Sequence, residues 1–315
     1  MTFAQLEALV AVVESGSFSR AAERLSVSQS GVSHTIAALE AELGGRLFLR
    51  LRSRGVTPTE FGERVLAHAQ NILARARLIH EEASSRAGLR TGRVRLAALP
   101  SVTNRLLPRA LGMLRRRHPG IEIVLLEGTD DDVRSMIESG AADLGFVTLP
   151  SLALDVVDIA ADDMLVVSKP DPALSDGPRV PAGRLAEWPF VMSTGGCEPE
   201  IRAYLRAQRV RPRVVLEVRD TATLLAIVRE GLGVTIVPAL ALPARRDGLL
   251  IRPLDPPFVR RIGIAAPSWQ DLSAAARVTA DALLEAAVRI GFGPDPTNTA
   301  GGRTAAIDIH GLTMD

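Results

Sequence analysis

Residues 17–55 read SFSRAAERLSVSQSGVSHTIAALEAELGGRLFLRLRSRG. Within them Val32, Ile36, Leu39 and Leu43 recur at alternating four- and three-residue spacing, one stripe of a helix. Ser30, His34, Ala37 and Ala41 fall on the opposite side. A helix whose outer face is small or hydrogen-bonding, with no charge near its start, can enter a groove closely. That is the pattern of the recognition helix of a helix-turn-helix, which lies in the major groove of DNA. A generic three-helix domain with a solvated basic loop would show similar periodicity, so the flanking signals matter.

Those signals agree. Thr2 and Gln5 form a capping box for a first helix running through Ser15, with Leu6, Leu9, Val10 and Val13 as its buried stripe and Gly16 as its stop. Ser17 can cap a second helix in which Ala21, Ala22 and Leu25 pack inward and Arg24 faces out. Ser28 can cap the third, and Gly44 ends it. Arg50, Arg52 and Arg54 then alternate along Leu49 to Thr57. At strand spacing they share one face of a hairpin, a wing suited to phosphate or minor-groove contact.

The segment closely resembles the N-terminal domain of LysR-type transcriptional regulators. The resemblance rests on Phe3, Leu6, Phe18, Ala21, Ala22, Leu25, Ser28, Gln29, Ser30, Val32, Ser33, Ile36, Leu39, Glu40, Leu43, Gly44, Leu47, Phe48, Arg50, Thr57 and Gly62, and extends to about residue 290. It implies that Gln29, Ser30, Ser33 and His34 face the major groove and that Arg50 and Arg52 serve the wing. Most members carry Arg where this chain has His34. A His makes one hydrogen bond where Arg makes a bidentate pair to guanine, so base preference should differ here.

Length and composition bound the rest. A chain of 315 residues fits two or three domains, and 47% hydrophobic residues suffice to give each a core. The net charge of +1 does not exclude nucleic acid, because the basic cluster from Arg46 to Arg54 is local and acidic residues elsewhere cancel it. Lys169 is the only lysine, a bias that suits a GC-rich coding genome better than a function. Cys197 is the only cysteine, so neither a disulfide within the chain nor a cysteine-cluster metal site can form. The five histidines show no ligand spacing, and no nucleophile elbow, phosphate loop or dinucleotide fingerprint is present. No cofactor or metal and no enzymatic activity are expected. With no signal-peptide pattern and no apolar run near membrane length, the expected location is the cytoplasm.

Thr57-Pro58-Thr59-Glu60 combines a capping box with Pro at the first helical position, so a helix is expected from there to about Ala87, with Gly88 and Gly92 releasing it. Leu66, Ala69, Leu73, Ala76 and Ala83 approximate a heptad seam interrupted by His80, and a monomer would leave Val65, Ile72 and Ile79 poorly covered. The alternative is a single helix packed on its own domain. The resemblance implies an antiparallel pair of such helices joining two DNA-binding domains.

From Arg93 short apolar runs alternate with helices, which reads as a parallel sheet with right-handed crossovers. The strands are expected at 94–98, 121–126, 144–147, 164–168, 190–192, 214–218, 234–237 and 261–265. The helices are expected at 104–117, 130–139, 198–208, 223–230 and 272–289. Two α/β subdomains would be linked by crossings near Ala160 and Ala265. The resemblance implies the same arrangement, a two-lobed periplasmic-binding-protein-like sensor. The fold class is thus α/β with an all-α winged helix-turn-helix N-terminal domain. Its divisions are residues 1–57, a linker and dimerisation helix 58–89, and an effector-binding domain 93–290. That domain has one lobe at about 93–160 and 266–290 and the other at about 161–265, and a disordered tail follows at 291–315.

Ligands of such folds bind where strand C-termini meet helix N-termini. The matching loops carry Ser101, Thr103 and Asn104, then Thr129, Thr148, and Ser193, Thr194 and Gly195. Taken singly, each hydroxyl is as readily a helix cap; four loops converging on one cleft point to a site. With no Arg or Lys inside them, a small anion held by N–H and hydroxyl groups fits, and an apolar or aromatic acid fits equally. Cys197 near a helix start reads as packing, with a redox-sensitive thiol as the alternative. The expected partners are double-stranded promoter DNA carrying an inverted repeat, a small-molecule effector with an anion as first candidate, and further copies of the chain in a homodimer or homotetramer. RNA polymerase is a candidate beyond these, and no membrane is expected. An architectural DNA binder without an effector, and an enzyme on the same scaffold, are the competing readings. The predicted cleft has no paired carboxylates or activated nucleophile to support the enzyme.

Overall fold

The computed structural model describes residues 1–49, 56–86, 92–151, 154–175, 177–243, 245–246 and 248–290, with the backbone alone for 80–86 and 175. The expected tail at 291–315 lies outside them. The chain divides into two units, residues 1–89 with 138–141 and the remainder.

The first unit holds α1 (Phe3–Ser15), α2 (Phe18–Leu25), α3 (Gln29–Leu43), β1 (Phe48–Leu49), β2 (Thr57–Pro58) and α4 (Glu60–Arg86). Its helix ends are those the sequence signals. Thr2 and Gln5 cap α1 reciprocally, Ser17 accepts from Arg20 N, and Ser28 accepts from Gly31 N. Gly44 takes the left-handed conformation (φ 69°) that stops α3. Leu6, Leu9, Val12, Ala21, Ala22, Val32, Ile36 and Leu39 close one core.

Two local expectations are corrected. Thr57 and Pro58 do not open the long helix; they form β2, antiparallel to β1 with Phe48 opposite Pro58 and Leu49 opposite Thr57. An edge pairing this short tolerates a residue without an N–H. The cap passes to Thr59, whose Oγ1 accepts from Gly62 N at 2.9 Å. The expected seam is also reassigned. Ala69 is 1% exposed in the unit's own core, and Val65, Leu66 and Leu73 pack against that core. α4 carries two apolar stripes, and the three-helix core takes one of them. Ile72 and Ile79 (72% exposed) remain outside, beside Phe3 (57% exposed). The side chains of His80 and Ala83 lie outside the described residues.

The second unit begins with β3 (Gly92–Ala98), α5 (Pro100–Arg117), β4 (Ile121–Glu127), α6 (Asp130–Glu138), β5 (Leu144–Leu149) and β6 (Asp155–Ser168). It continues through α7 (Pro172–Ser175), β7 (Val180–Pro181), β8 (Pro189–Ser193), α8 (Glu198–Ala207), β9 (Arg213–Val218) and α9 (Thr221–Arg229). β10 (Thr235–Pro238), β11 (Leu250–Asp255), β12 (Val259–Ala266) and α10 (Ala274–Arg289) complete it. The main sheet runs β4-β3-β5-β12-β6-β11-β7, with β10 also on β6, and β8 and β9 form a separate parallel pair. One lobe packs its core from β3, α5, β5 and α10; the other has cores on both sides of its strands.

The sheet is mixed rather than parallel. β3 is parallel to β4 and β5, while β12 runs antiparallel to both β5 and β6. The reason is the double crossing: β6 leaves the first lobe and β12 returns to it, so the two must run opposite ways. Only 164–168 of β6 reads as a strand in the sequence, because Asp155, Asp158, Asp162 and Asp163 interrupt its apolar run. Arg261–Ala265 pairs with β5 inside the first lobe, so the return crossing falls at the start of β12, a few residues before the expected Ala265. Helix α5 starts at Pro100 rather than at Asn104.

Candidate functional site

In the first unit Val32, Ile36 and Leu39 anchor α3, and Gln29, Ser30, Ser33 and His34 are exposed together on its other side. Ser28 Oγ holds Gly31 N at 3.1 Å and lies 3.0 Å from Ser30 Oγ, so the Ser30 hydroxyl is shared with the cap. Arg24, on α2, pairs with Glu14 of α1. The exposed face of α3 can offer neutral donors and acceptors to base edges without a desolvated charge. Arg50, Arg52 and Arg54 lie outside the described residues.

In the second unit the strand-end residues separate into different roles. Ser101, Thr103 and Asn104 sit within the first five residues of α5 rather than in a loop. Thr103 Oγ1 donates to Pro100 O at 2.8 Å, Asn104 is exposed, and Ser101 is buried with its Oγ accepting from Arg260. Thr129 and Asp132 form a capping box at α6, with Thr129 N 2.9 Å from Asp132 Oδ2 and Asp132 N 3.3 Å from Thr129 Oγ1. Thr148 is held through its backbone, its N–H by Asp130 and its carbonyl by Arg134 Nη2 at 2.6 Å. Ser193 is buried, and Thr194 N donates to Val218 O at 3.0 Å. Gly195 lies so close to β9 that a Cβ would meet Arg219 O at 2.4 Å.

Three of the expected loops come together. A Cβ at Gly196 would lie 3.8 Å from Thr129 Cα, which brings the lead-in of α8 against the start of α6. The guanidinium of Arg260, on β12, joins the start of α5 to the lead-in of α8. It donates to Ser101 in one lobe and to Cys197 Sγ (3.2 Å) in the other. It also donates to Asp162 on β6, from Nε at 3.1 Å and from Nη2 at 2.8 Å. Asp162 Oδ1 accepts from Leu240 N at 3.0 Å. Asp162 is wholly buried and Arg260 is 5% exposed.

Burial pushes the Asp162 carboxyl above the ordinary carboxylate range, against the pull of Arg260. Burial likewise pushes the Cys197 thiol up. Glu200, on α8, has one carboxylate oxygen buried without a partner, and desolvation raises its pKa, with Asp130 and Asp131 adding to the rise.

Arg260, Asp162 and Glu200 are absent from the sequence-derived site. The one available signal was charge inside strand-like apolar runs, Asp162 in VVDIAADDMLVVS and Arg260 in VRRIGIAA. A charge at such a position is tolerable when paired. Among the described residues no group of side chains could hold a metal ion, and no helix is long and apolar enough to cross a membrane.

Comparison with known proteins matches both units. Residues 3–63 match the model of the bacterial regulatory helix-turn-helix protein, lysR family, and residues 87–288 match that of the LysR substrate binding domain. A probable HTH-type transcriptional regulator, LrrA of Synechococcus elongatus, is 35% identical over 84% of this chain and 90% of its own. A probable hydrogen peroxide-inducible genes activator of Mycobacterium avium is 34% identical over 84% and 87%. Among solved structures, a full-length cysteine-to-aspartate variant of OxyR from Pseudomonas aeruginosa shares the fold, with a TM-score of 0.72 at 24% identity, covering 90% of this chain and 98% of that one.

Proposed function

The chain belongs to the LysR family of DNA-binding transcriptional regulators, and on that footing we propose that it is sequence-specific and answers a small molecule held between its sensor lobes. The observation that carries the first part is the uncharged exposed face of Gln29, Ser30, Ser33 and His34 on a capped helix backed by a buried stripe. Arg50, Arg52 and Arg54 add phosphate or minor-groove contacts that favour DNA of any sequence. The exposed groove of Phe3, Ile72, Ala76 and Ile79, about 390 Å³, supports assembly through the outer stripe of α4.

For the effector, Ser101, Thr129 and Gly195 serve structural ties. Thr148, Ser193 and Thr194 are the better contacts, since none of their hydroxyls has a hydrogen-bond partner among the described residues, and Thr103 and Asn104 flank them at α5. Two guanidiniums at these loops are already matched, Arg260 by Asp162 and Arg134 by Asp130, and Glu200 and Asp131 stand near. That balance suits a neutral, hydrogen-bonding ligand better than the anion expected from the sequence. A peroxide response like that named for the mycobacterial relative is not expected of this chain. Cys197 is the sole cysteine, and its buried thiol resists ionisation.

Selection of binding sites from random duplexes tests the reading. The wild type should enrich an interrupted inverted repeat bound by two or four chains. His34→Arg should change preference at one base per half-site by about 1–3 kcal/mol. A panel of metabolites should contain one that raises the melting temperature of the protein and changes its affinity for the selected site. Enrichment of no sequence would overturn specificity. A selected site with no responsive metabolite would favour an architectural role.

A further inference from the structure

The turn between α3 and β1 is held from two helices. From α3, the half-buried Glu40 accepts two backbone N–H groups on one oxygen, Leu47 N at 2.7 Å and Phe48 N at 3.4 Å. From the start of α4, Thr59 Oγ1 donates to Arg46 O at 2.7 Å and Thr59 N donates to Leu47 O at 2.9 Å. Gly62 lies against the same carbonyl, where a Cβ would be 2.1 Å from Leu47 O. Leu47 is fully buried, and the Phe48 ring meets Phe18 edge-on with centroids 5.6 Å apart.

Bonds to a carboxylate are about twice as strong as neutral ones, so Glu40 is a principal tie from the recognition helix to this turn. It lies near the C-terminal end of α3, far along the helix from Gln29 to His34, and is not placed to read bases. In sequence, the three wing arginines follow directly after β1.

We propose that Glu40 is a positioning residue for DNA binding: its carboxylate locks the first wing strand to the recognition helix, so that wing and helix meet DNA in one fixed register. The proposal rests on the DNA-binding reading of the family. Removal of this acceptor frees two N–H groups at the wing root but leaves Val32, Ile36 and Leu39 packed. The contribution that suffers is the wing's, which is phosphate-directed and independent of sequence. Charge alone predicts the opposite sign, since loss of a carboxylate should strengthen binding to a polyanion.

The test is fluorescence anisotropy of the full chain with a random-sequence duplex across a range of salt. Glu40→Ala should bind about tenfold more weakly and show a salt slope smaller by roughly one to two units, as expected when one or two phosphate contacts are lost. Glu40→Gln keeps an acceptor oxygen in place and should recover most of both. Glu40→Asp keeps the charge but withdraws the oxygen by one methylene, so it should behave like Glu40→Ala and serve in its place should that variant fold poorly. The positioning role is overturned if the folded Ala and Asp variants keep wild-type affinity and slope, or if Gln is as weak as Ala. A wild type that binds no duplex would instead break the DNA-binding reading itself.

Discussion

The two units build their working surfaces in opposite ways. In the first, the four exposed residues Gln29, Ser30, Ser33 and His34 fall within six positions of one helix whose own periodicity buries the opposite side. In the second, the polar centre gathers Ser101, Asp162, Cys197 and Arg260, the first and last 159 positions apart in sequence. A surface made by one helix needs only that helix to form and to be backed. A centre made by two crossing strands and two helix starts exists only once the lobes are assembled. The two should therefore respond differently to single substitutions.

The largest effect is expected at Asp162. Asp162→Ala leaves Arg260 buried without its counter-charge, which should destabilise the second unit by about 3–5 kcal/mol. Denaturation followed through Trp188 and Trp269, both in that unit, would read it directly. Replacing both partners by apolar residues, Asp162→Leu with Arg260→Met, should recover much of the loss. A single variant as stable as the wild type would mean that the pair does not hold the buried centre together.

A smaller effect, confined to the first unit, follows at Ser28. Ser28→Ala removes the cap of α3 and should lower stability by about 1 kcal/mol, with Ser28→Asp restoring it. Thermal melting of the full chain should show the change in the transition of the first unit alone. A shift in both transitions would contradict the separation drawn between them.

The smallest effect is one of pH. The hydroxyl of Thr129 holds the Asp132 carboxyl below the ordinary range, and the backbone N–H of Thr223 does the same for Asp220. A folded pKa below the unfolded one makes the unfolded chain take up the proton first. The stabilisation is complete above about pH 4 and is lost as pH falls through the folded values. The described caps in the first unit, at Thr2, Ser17 and Ser28, are hydroxyls that do not titrate. Denaturant midpoints of the second unit should fall between neutral pH and pH 3 as these two carboxylates take up protons, opposed by Asp162 and Glu200, whose raised values favour the folded state as pH falls. Asp220→Asn keeps an acceptor that cannot be protonated and should make that fall shallower; an unchanged slope would remove Asp220 from the account.

Legibility in the sequence follows the same division. The caps at Thr2, Ser17 and Ser28, the stops at Gly16 and Gly44 and the exposed face of α3 all depend on residues within one helical turn or two, so local spacing determined them. The alternation of strands and helices in the sensor was legible for that reason too. Four matters were decided only by tertiary structure. Pro58 became a strand residue because β1 needed a partner. Ala69 and Leu73 turned to the home core because α1 to α3 left a surface for them. The sheet became mixed because the chain crosses between lobes and must return. Arg260 reached Ser101, Asp162 and Cys197 because β12 lies beside β6. A charge in an apolar run shows that a partner is needed, but which residue supplies it depends on strand register, and register is fixed by packing across the whole domain.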